Sequence, residues 1–273
     1  MLRNSGLIGI LTLTLAATAA GGETPEEHPL TQVVKYAAER YRAIDEQVKD
    51  YTCTLVKREL IDGRLSEPEF LFMKLRHGKV EQGKTVRAFA VYLRFLSPAE
   101  VRDREVLFFD GKYDGKIIAR RGGLRMPFVT AALEPNGELA MQHNRYPITE
   151  IGFQTMLKRL LEVAREDIHY QECEVKYFTG AKINGRVCTV VQVTHPNPRP
   201  YFRYCQARIF IDDELQLPIR YASYTWPEQA GGEPRLMEEY TYLDLKINVG
   251  LTDWDFDYHN ENYNFRKDFE LPR

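Results

Sequence analysis

Three consecutive acids, Asp212, Asp213 and Glu214, stand between two apolar runs in "IFIDDELQLPIRY" (209–221). Such a group could be a pair of catalytic carboxylates, a cation site or a turn. Successive strand residues point to opposite faces, so adjacent acids cannot both reach one substrate. On a turn they would be exposed to water, with nothing to raise a carboxyl pKa towards the range of acid–base catalysis. Pro218 suits the start of a following strand. We therefore interpret the three acids as a turn.

A second acidic group, Asp253, Asp255 and Asp257, lies in "TDWDFD" near the end of the chain. If this segment is extended, the three carboxylates share one face. A calcium loop of the EF-hand type requires glycine at the sixth position and a distal glutamate. The sixth position here is Tyr258, and the loop does not follow. We interpret the segment as a structural tail.

Other residue types that support catalysis are dispersed. The histidines are His28, His77, His143, His169, His195 and His259. The sequence contains no H-E-x-x-H, no H-x-H, no G-x-S-x-G and no glycine-rich phosphate loop. The chain is therefore predicted to have no catalytic residues, no metal site and no cofactor, and not to be an enzyme.

The four cysteines are Cys53, Cys173, Cys188 and Cys205. An even number permits disulfides if the chain is exported. Cys173 and Cys188 flank a predicted hairpin turn and are the favoured pair. Buried free thiols remain the alternative.

The N-terminus has the pattern of a secretory signal peptide. One positive charge, Arg3, precedes an apolar stretch that ends in small residues, and this stretch is too short to span a bilayer. We predict a signal peptide over 1–20 and a short linker over 21–29, with an uncleaved anchor as the alternative. No cysteine follows for lipid attachment, so we expect an exported, periplasmic protein. The formal net charge of −2, from 37 basic and 39 acidic residues, argues against a nucleic-acid partner.

Hydrophobic periodicity predicts two helices and about ten strands. Apolar residues recur at three- and four-residue steps from Leu30 to Val48 and again from Phe153 to Ala164, with Thr149 placed to cap the second helix. Segments such as "EFLFMKLR", "TVRAFAVYLRFL" and "REVLFF" alternate with period two. Asx-Gly pairs between such segments indicate tight hairpin turns. Residues 122–147 lack clean periodicity, and we predict short helical turns that cover an opening.

These elements predict an α+β fold: a curved antiparallel sheet that forms an open half-barrel around the two main helices. Full closure of the barrel would leave the helices no surface on which to bury their apolar faces. We expect one domain over 30–265 and a C-terminal tail over 266–273.

The order of segments resembles a known family. It runs through "DYTCTLVKRELIDGRL", "VYLRFLSPAEVRDREVLFFDGKYDGK", "PITEIGFQTMLKRLLEVA", "ARIFIDDELQLPIRY" and "YTYLDLKINVGLTDWDFD". Over residues 30–265 it resembles exported bacterial proteins with the domain of unknown function 1571. More distantly it is similar to the lipoprotein-carrier superfamily of LolA, LolB and RseB. That resemblance implies an open half-barrel with helical lid segments and an apolar cavity that takes up acyl chains.

By that resemblance the cavity is expected to be lined from the alternating strands, the second helix and the cover. The expected residues are Leu71, Met73, Leu75, Phe89, Val91, Leu93, Phe95, Val106, Phe108, Met126, Phe128, Met141, Leu157 and Leu161. Each of them would also serve as an ordinary core residue. The function implied is a non-catalytic binder or carrier of lipids or lipoprotein acyl chains in the cell envelope. The alternative is a protein-binding envelope stress sensor or regulatory module, with envelope membrane proteins as partners.

Overall fold

The structure is a computed structural model that describes residues 27–229 and 231–271. The predicted signal peptide, 1–20, and most of the predicted linker lie outside the described residues. The α-helices are α1 (Leu30–Gln47), α2 (Glu138–Met141) and α3 (Phe153–Asp167). Short 3-10 turns cover Tyr113–Gly115, Ile148–Glu150 and Asp253–Phe256. No helix in the described part of the chain is long and apolar enough to cross a membrane.

The strands follow the order of the chain. They are β1 (Asp50–Ile61), β2 (Arg64–Leu65), β3 (Glu69–Arg76), β4 (Lys79–Glu81), β5 (Lys84–Arg87), β6 (Ala90–Ser97), β7 (Glu105–Phe109), β8 (Ile117–Arg120), β9 (Thr130–Leu133), β10 (Glu174–Ile183), β11 (Arg186–Thr194), β12 (Gln206–Asp212), β13 (Pro218–Thr225) and β14 (Arg235–Ile247).

Within the described residues, twelve of these strands form one antiparallel sheet. Its order is β10-β11-β12-β13-β14-β1-β3-β6-β7-β8-β9, with β2 attached to β1 and a separate β4–β5 hairpin. The end strands β10 and β9 do not pair with each other, so the sheet is open. The predicted α+β fold, an open antiparallel sheet with helices on it, is confirmed. The strands beyond the predicted ten are short, such as the two-residue β2.

Alternation within the strands decides which side chains face the helices. In β6, Val91, Leu93 and Phe95 belong to the main core, whereas Tyr92 belongs to a cluster on the other face. Two-residue turns also form where predicted: Asn184 and Gly185, both with positive φ, connect β10 to β11. These local signals depend only on neighbouring residues, which is why they could be predicted.

The start of α3 differs from the expected one. Gly152 rather than Thr149 precedes its first residue, and no side chain caps the helix. The φ of Gly152 is 109°, and a Cβ there would lie 2.8 Å from Cδ1 of Leu75 and 3.0 Å from the hydroxyl of Tyr51. Glycine therefore permits both the chain direction and the close packing of α3 on the sheet.

Asp213 and Glu214 do lie in a turn between β12 and β13, whereas Asp212 is the last residue of β12. However, Asp212 is buried, contrary to the expectation that all three are exposed. Its carboxylate pairs with Arg186 and accepts the backbone N–H groups of Glu214 and Leu215, both at 2.9 Å. The pKa of Asp212 is lowered: burial opposes this shift, but Arg186 and the two N–H groups outweigh it. The carboxylate thus fixes the turn.

The C-terminal residues cover the outer face of the sheet. Tyr263 stacks on Tyr92 with ring centroids 3.9 Å apart. Asp253 accepts a hydrogen bond from Arg76 at 2.7 Å, and Asp255 accepts one from Lys74 at 2.8 Å. The aspartates of "TDWDFD" therefore attach the tail to β3, from a 3-10 turn rather than an extended segment.

The disulfide expected between Cys173 and Cys188 is wrong for this structure. All the cysteines are buried free thiols: Cys53, Cys173, Cys188 and Cys205. Cys173 directly precedes Glu174, which pairs with Thr194, six residues along β11 from Cys188. Six strand residues span about 20 Å. Cα atoms more than about 7 Å apart cannot be bridged.

Candidate functional site

A cavity of about 660 Å³ lies against the inner face of the sheet. Its other walls are α3 and the irregular segment 135–152, which includes α2. Ligand pockets for small molecules span roughly 300–1,000 Å³, so this volume suits a ligand. Its apolar wall includes Leu55, Leu71, Leu93, Phe95, Val106, Ile117, Ala119, Val129, Ala131, Leu133, Ile148, Ile151, Met156, Leu160 and Val163.

The cavity exists because the sheet curves. Strands β13 and β9 are separated by seven strand-to-strand steps, about 34 Å in a flat sheet. Yet Tyr221 of β13 and Ala131 of β9 line the same cavity. The sheet therefore wraps around the space, as a half-barrel does.

Aromatic side chains fill one end of the half-barrel. Phe153 stacks on Tyr51 with centroids 4.6 Å apart and lies 4.4 Å from the ring of Tyr242. Tyr51 in turn meets His77 edge-on at 5.6 Å. Tyr51 and Phe153 are fully buried, so this end is packed core. The free volume lies beyond this aromatic end and reaches from Tyr221 of β13 to Ala131 of β9.

Four of the residues predicted to line a cavity do line this one: Leu71, Leu93, Phe95 and Val106. They come from three neighbouring strands, β3, β6 and β7. Cross-strand pairing explains why they meet, because Leu93 lies opposite Val106, and Leu71 opposite Phe95.

The other predicted residues lie elsewhere. Met73, Leu75, Val91, Phe108 and the partly buried Phe89 belong to the packed core beside the cavity. Leu157 and Leu161 line a separate cavity of about 60 Å³ between α1, α3 and the sheet.

The predicted cover residues also lie away from the cavity lining. Met126 and Phe128 are exposed in the loop between β8 and β9, by 56% and 61%. Met141 ends α2 and is partly buried, whereas its neighbours Ala140 and Gln142 line the cavity. The predicted cover, 122–147, thus contributes through β9, a strand where short helical turns were expected, and through α2 and the residues after it.

Several charged side chains on the cavity wall form a paired network. Lys57 lies 3.3 Å from carboxylate oxygens of both Glu59 and Glu69 and donates to Asn144 at 2.6 Å. Arg145 donates to Glu238 at 3.2 Å. The carboxylates are therefore compensated, as buried charges require.

Hydroxyl groups complete this network. Tyr240 donates to Glu59, and Ser223 donates to Glu238 at 3.0 Å. Burial raises the pKa of Tyr240 far above its ordinary value, and the negative charges of Glu59 and Glu238 add to the effect. The tyrosine stays protonated and acts as a hydrogen-bond donor. The polar groups of this network are hydrogen-bonded to one another, so none of them is presented as a free base or nucleophile.

Sequence reasoning missed this polar part of the wall. Leu55, Lys57 and Glu59 alternate along β1 and share one face, as Glu238, Tyr240 and Tyr242 do along β14. The sequence did contain a signal for it: charged residues alternate at the same positions as the apolar residues of the inner face. A packed inner face does not tolerate unpaired charge, so this pattern indicates a network of paired charges.

The described residues contain no cluster of three or more His, Cys, Asp or Glu side chains that could hold a metal ion. His143 lies on the cavity wall, whereas His77 is in the aromatic end and His195 is buried near Asp167, 3.4 Å from its carboxylate.

A sequence model of a family described as "Protein of unknown function (DUF1571)" matches residues 48–265. No curated protein matches the chain.

Among solved structures, the Mycobacterium tuberculosis lipoprotein LppX is similar with a TM-score of 0.43 and 11% identity, over 83% of this chain and 100% of its own. A DUF1329 family protein from Desulfovibrio piger is similar with a TM-score of 0.38 and 13% identity, over 84% of this chain and 98% of its own. A LolA superfamily protein from Nitrosomonas europaea is similar with a TM-score of 0.31 and 11% identity, over 81% of this chain and 97% of its own. These likenesses are loose, so the function proposed below depends on the cavity.

Proposed function

The chain belongs to the DUF1571 family of proteins of unknown function, and we propose that it is a non-catalytic binder or carrier of acyl chains in the cell envelope. The observation that carries this proposal is the apolar cavity of about 660 Å³ on the inner face of the half-barrel. The signal-peptide pattern of residues 1–20 supports export, which would bring the protein to envelope lipids.

The volume and chemistry of the cavity fit an acyl chain. If a methylene needs about the 30 Å³ of a water molecule, the space holds roughly 20 such groups. Burial of a 16-carbon chain at about 0.8 kcal/mol per CH2 gives a gross free energy of about 12 kcal/mol. Loss of translational and conformational freedom offsets part of this value. With an offset at the lower end of its range, about 4 kcal/mol, about 8 kcal/mol would remain, which corresponds to a dissociation constant of about 1 μM.

The state of the titratable groups supports binding rather than catalysis. Glu59 and Glu238 are engaged by Tyr240, Ser223 and Arg145, so neither is free to act as a general base. Such engagement stabilises the wall of a cavity. A reaction would need one of these groups to be available to a substrate.

Native mass spectrometry of the full chain, purified from a membrane-containing lysate, tests the proposal together with titration by a fluorescent fatty acid. We expect bound acyl species and saturable binding. Absence of both would refute the proposal.

Binding to exposed apolar residues must be separated from binding in the cavity. Leu124, exposed by 84%, and Phe128 lie outside the cavity wall. The variant with Leu124→Ser and Phe128→Ser should keep full affinity. Loss of binding in this variant would locate the fatty acid on the surface and contradict the proposal.

A further inference from the structure

Two neighbouring arginines, Arg104 and Arg121, belong to the cavity wall. The register of β7 on β8 ends with Glu105 opposite Arg120, and Arg104 and Arg121 are the next residues beyond this last pair. Nε of Arg104 donates to the backbone oxygen of Arg121 at 3.2 Å, which places the two residues side by side. Both line the cavity. Like charges directly opposite each other on a sheet are destabilising.

Arg104, Arg121 and their neighbour Arg120 differ from four other cations of the cavity wall. Lys57, Arg145, Arg159 and Arg203 each have a carboxylate partner. Among the described residues, neither Arg104 nor Arg121 forms an ion pair with a carboxylate.

The surroundings of Arg104 disfavour an uncompensated positive charge, so an anion bound beside it would be stabilising. Its guanidinium lies 5.3 Å from the ring centre of Phe95, another wall residue. Burial lowers the pKa of Arg104, and the positive charge of Arg121 adds to this, against the opposing effect of Glu69. Glu69 is itself paired with Lys57.

Arg120, the residue between Ala119 and Arg121, is also a residue of the cavity wall. Its Nη1 donates to the backbone oxygen of Asp103 at 2.5 Å. Its Nε is buried and has no hydrogen-bond partner among the described residues. Guanidinium groups are well suited to carboxylate and phosphate oxygens, which accept two parallel hydrogen bonds.

We propose that Arg104 and Arg121 bind the anionic headgroup, a carboxylate or phosphate, of an amphiphile whose acyl chain lies in the cavity. This inference rests on the proposed function. It adds the sign of the headgroup charge and the end of the cavity at which the headgroup lies. The wall next to the pair is apolar, with Val106 and Ala119 paired across β7 and β8. A ligand there meets positive charge and apolar surface together.

Calorimetric titration of the full chain with three probes tests the inference: oleate, oleyl alcohol and inorganic phosphate. Oleate and oleyl alcohol share one hydrocarbon chain and differ in headgroup charge. One charge-assisted hydrogen bond contributes about 1.5–3 kcal/mol, so we expect oleate to bind at least about tenfold more tightly. Arg104→Gln or Arg121→Gln should lower oleate affinity about tenfold and leave oleyl alcohol affinity unchanged. Arg125→Gln is the matched control, because Arg125 follows Arg121 in the loop between β8 and β9 and, unlike Arg121, does not line the cavity.

The other outcomes refute either the headgroup site alone or the proposed function as well. Equal affinities for oleate and oleyl alcohol, with no effect of Arg104→Gln, refute the headgroup site and leave the proposed function standing. Failure of both amphiphiles to bind refutes the proposed function as well. Phosphate that binds through the arginines and is not displaced by oleate would indicate a free-anion site instead. Since each variant removes like-charge repulsion, the melting temperature should not fall. Even if a variant fails to fold, the oleate to oleyl alcohol ratio of the unaltered chain decides the inference.

Discussion

Ala119→Phe is the most direct perturbation of the cavity. Ala119 lies in β8 between Val106 and Ala131 on the neighbouring strands, and all three line the cavity. A phenyl ring at this position would project into free space rather than into packed core. The substitution therefore narrows the cavity without the overpacking that destabilises a filled core.

The magnitude follows from the volume that the ring takes. Six ring carbons, if each displaced one methylene worth about 0.8 kcal/mol, would cost a long acyl chain about 5 kcal/mol. A chain that moves aside loses only part of this free energy. We expect the affinity for a 16-carbon fatty acid to fall at least tenfold, which corresponds to about 1.4 kcal/mol. An eight-carbon chain has room to avoid the ring, so its affinity should hardly change.

The assay is displacement of a fluorescent fatty acid by saturated fatty acids of increasing length, with thermal unfolding measured alongside. Ala99→Phe is the matched control, because Ala99 is exposed in the turn after β6 and does not line the cavity. If Ala119→Phe keeps its melting temperature and its full affinity for 16-carbon chains, the chain does not occupy this cavity and the reasoning fails.

Three further predictions concern stability. Glu238→Ala leaves Arg145 without its buried partner, so urea denaturation should show that the free energy of unfolding falls by about 3–5 kcal/mol. Glu166→Ala, which removes an exposed ion pair, should lower it by under about 1 kcal/mol. Equal losses in the two variants would contradict this prediction. Gly152→Ala should lower the free energy of unfolding by more than about 1 kcal/mol, because φ is positive and the new Cβ meets side chains of the sheet; an unchanged urea midpoint would be the contrary result. His77 is buried, and burial, followed by the charge of Arg87, lowers its pKa from 6.5 to about 4. The unfolded chain therefore takes up a proton below pH 6.5 that the folded chain resists until about pH 4, so stability is complete above pH 6.5 and falls by about 3 kcal/mol as the pH drops through that window. The loss attributable to His77 should disappear in His77→Phe, measured by denaturation at pH 7 and pH 4.5, and should persist in His259→Phe, where the ring is exposed.

Local patterns in the sequence were sufficient for the two main helices, most of the longer strands and the open sheet. The alternation of Val91, Leu93 and Phe95 fixed the inner face of β6, and Asn184-Gly185 fixed a turn. Each of these features depends on side chains that are close in sequence, where steric rules apply directly.

Features that depend on distant residues were not predictable in this way. The burial of Asp212 requires Arg186 from the neighbouring hairpin. Placing Cys173 and Cys188 correctly requires the register of β10 on β11. Alternation identifies the face of a strand but not the position along the half-barrel. For that reason Leu71 lines the cavity, whereas Met73 and Leu75 on the same face lie in packed core.

Side-chain size along the inner face decides which end of the half-barrel is open. Tyr51, Phe153 and Tyr242 fill one end, and Ala119 and Ala131 leave space at the other. A sealed and empty cavity of 660 Å³, at about 24 cal/mol per Å³, would cost about 16 kcal/mol. The total stability of a typical protein is only about 5–15 kcal/mol. The space must therefore be filled by water or by a ligand. Water gains few hydrogen bonds beside Leu93, Val106 and Ala119, which is in keeping with the acyl ligand that we propose.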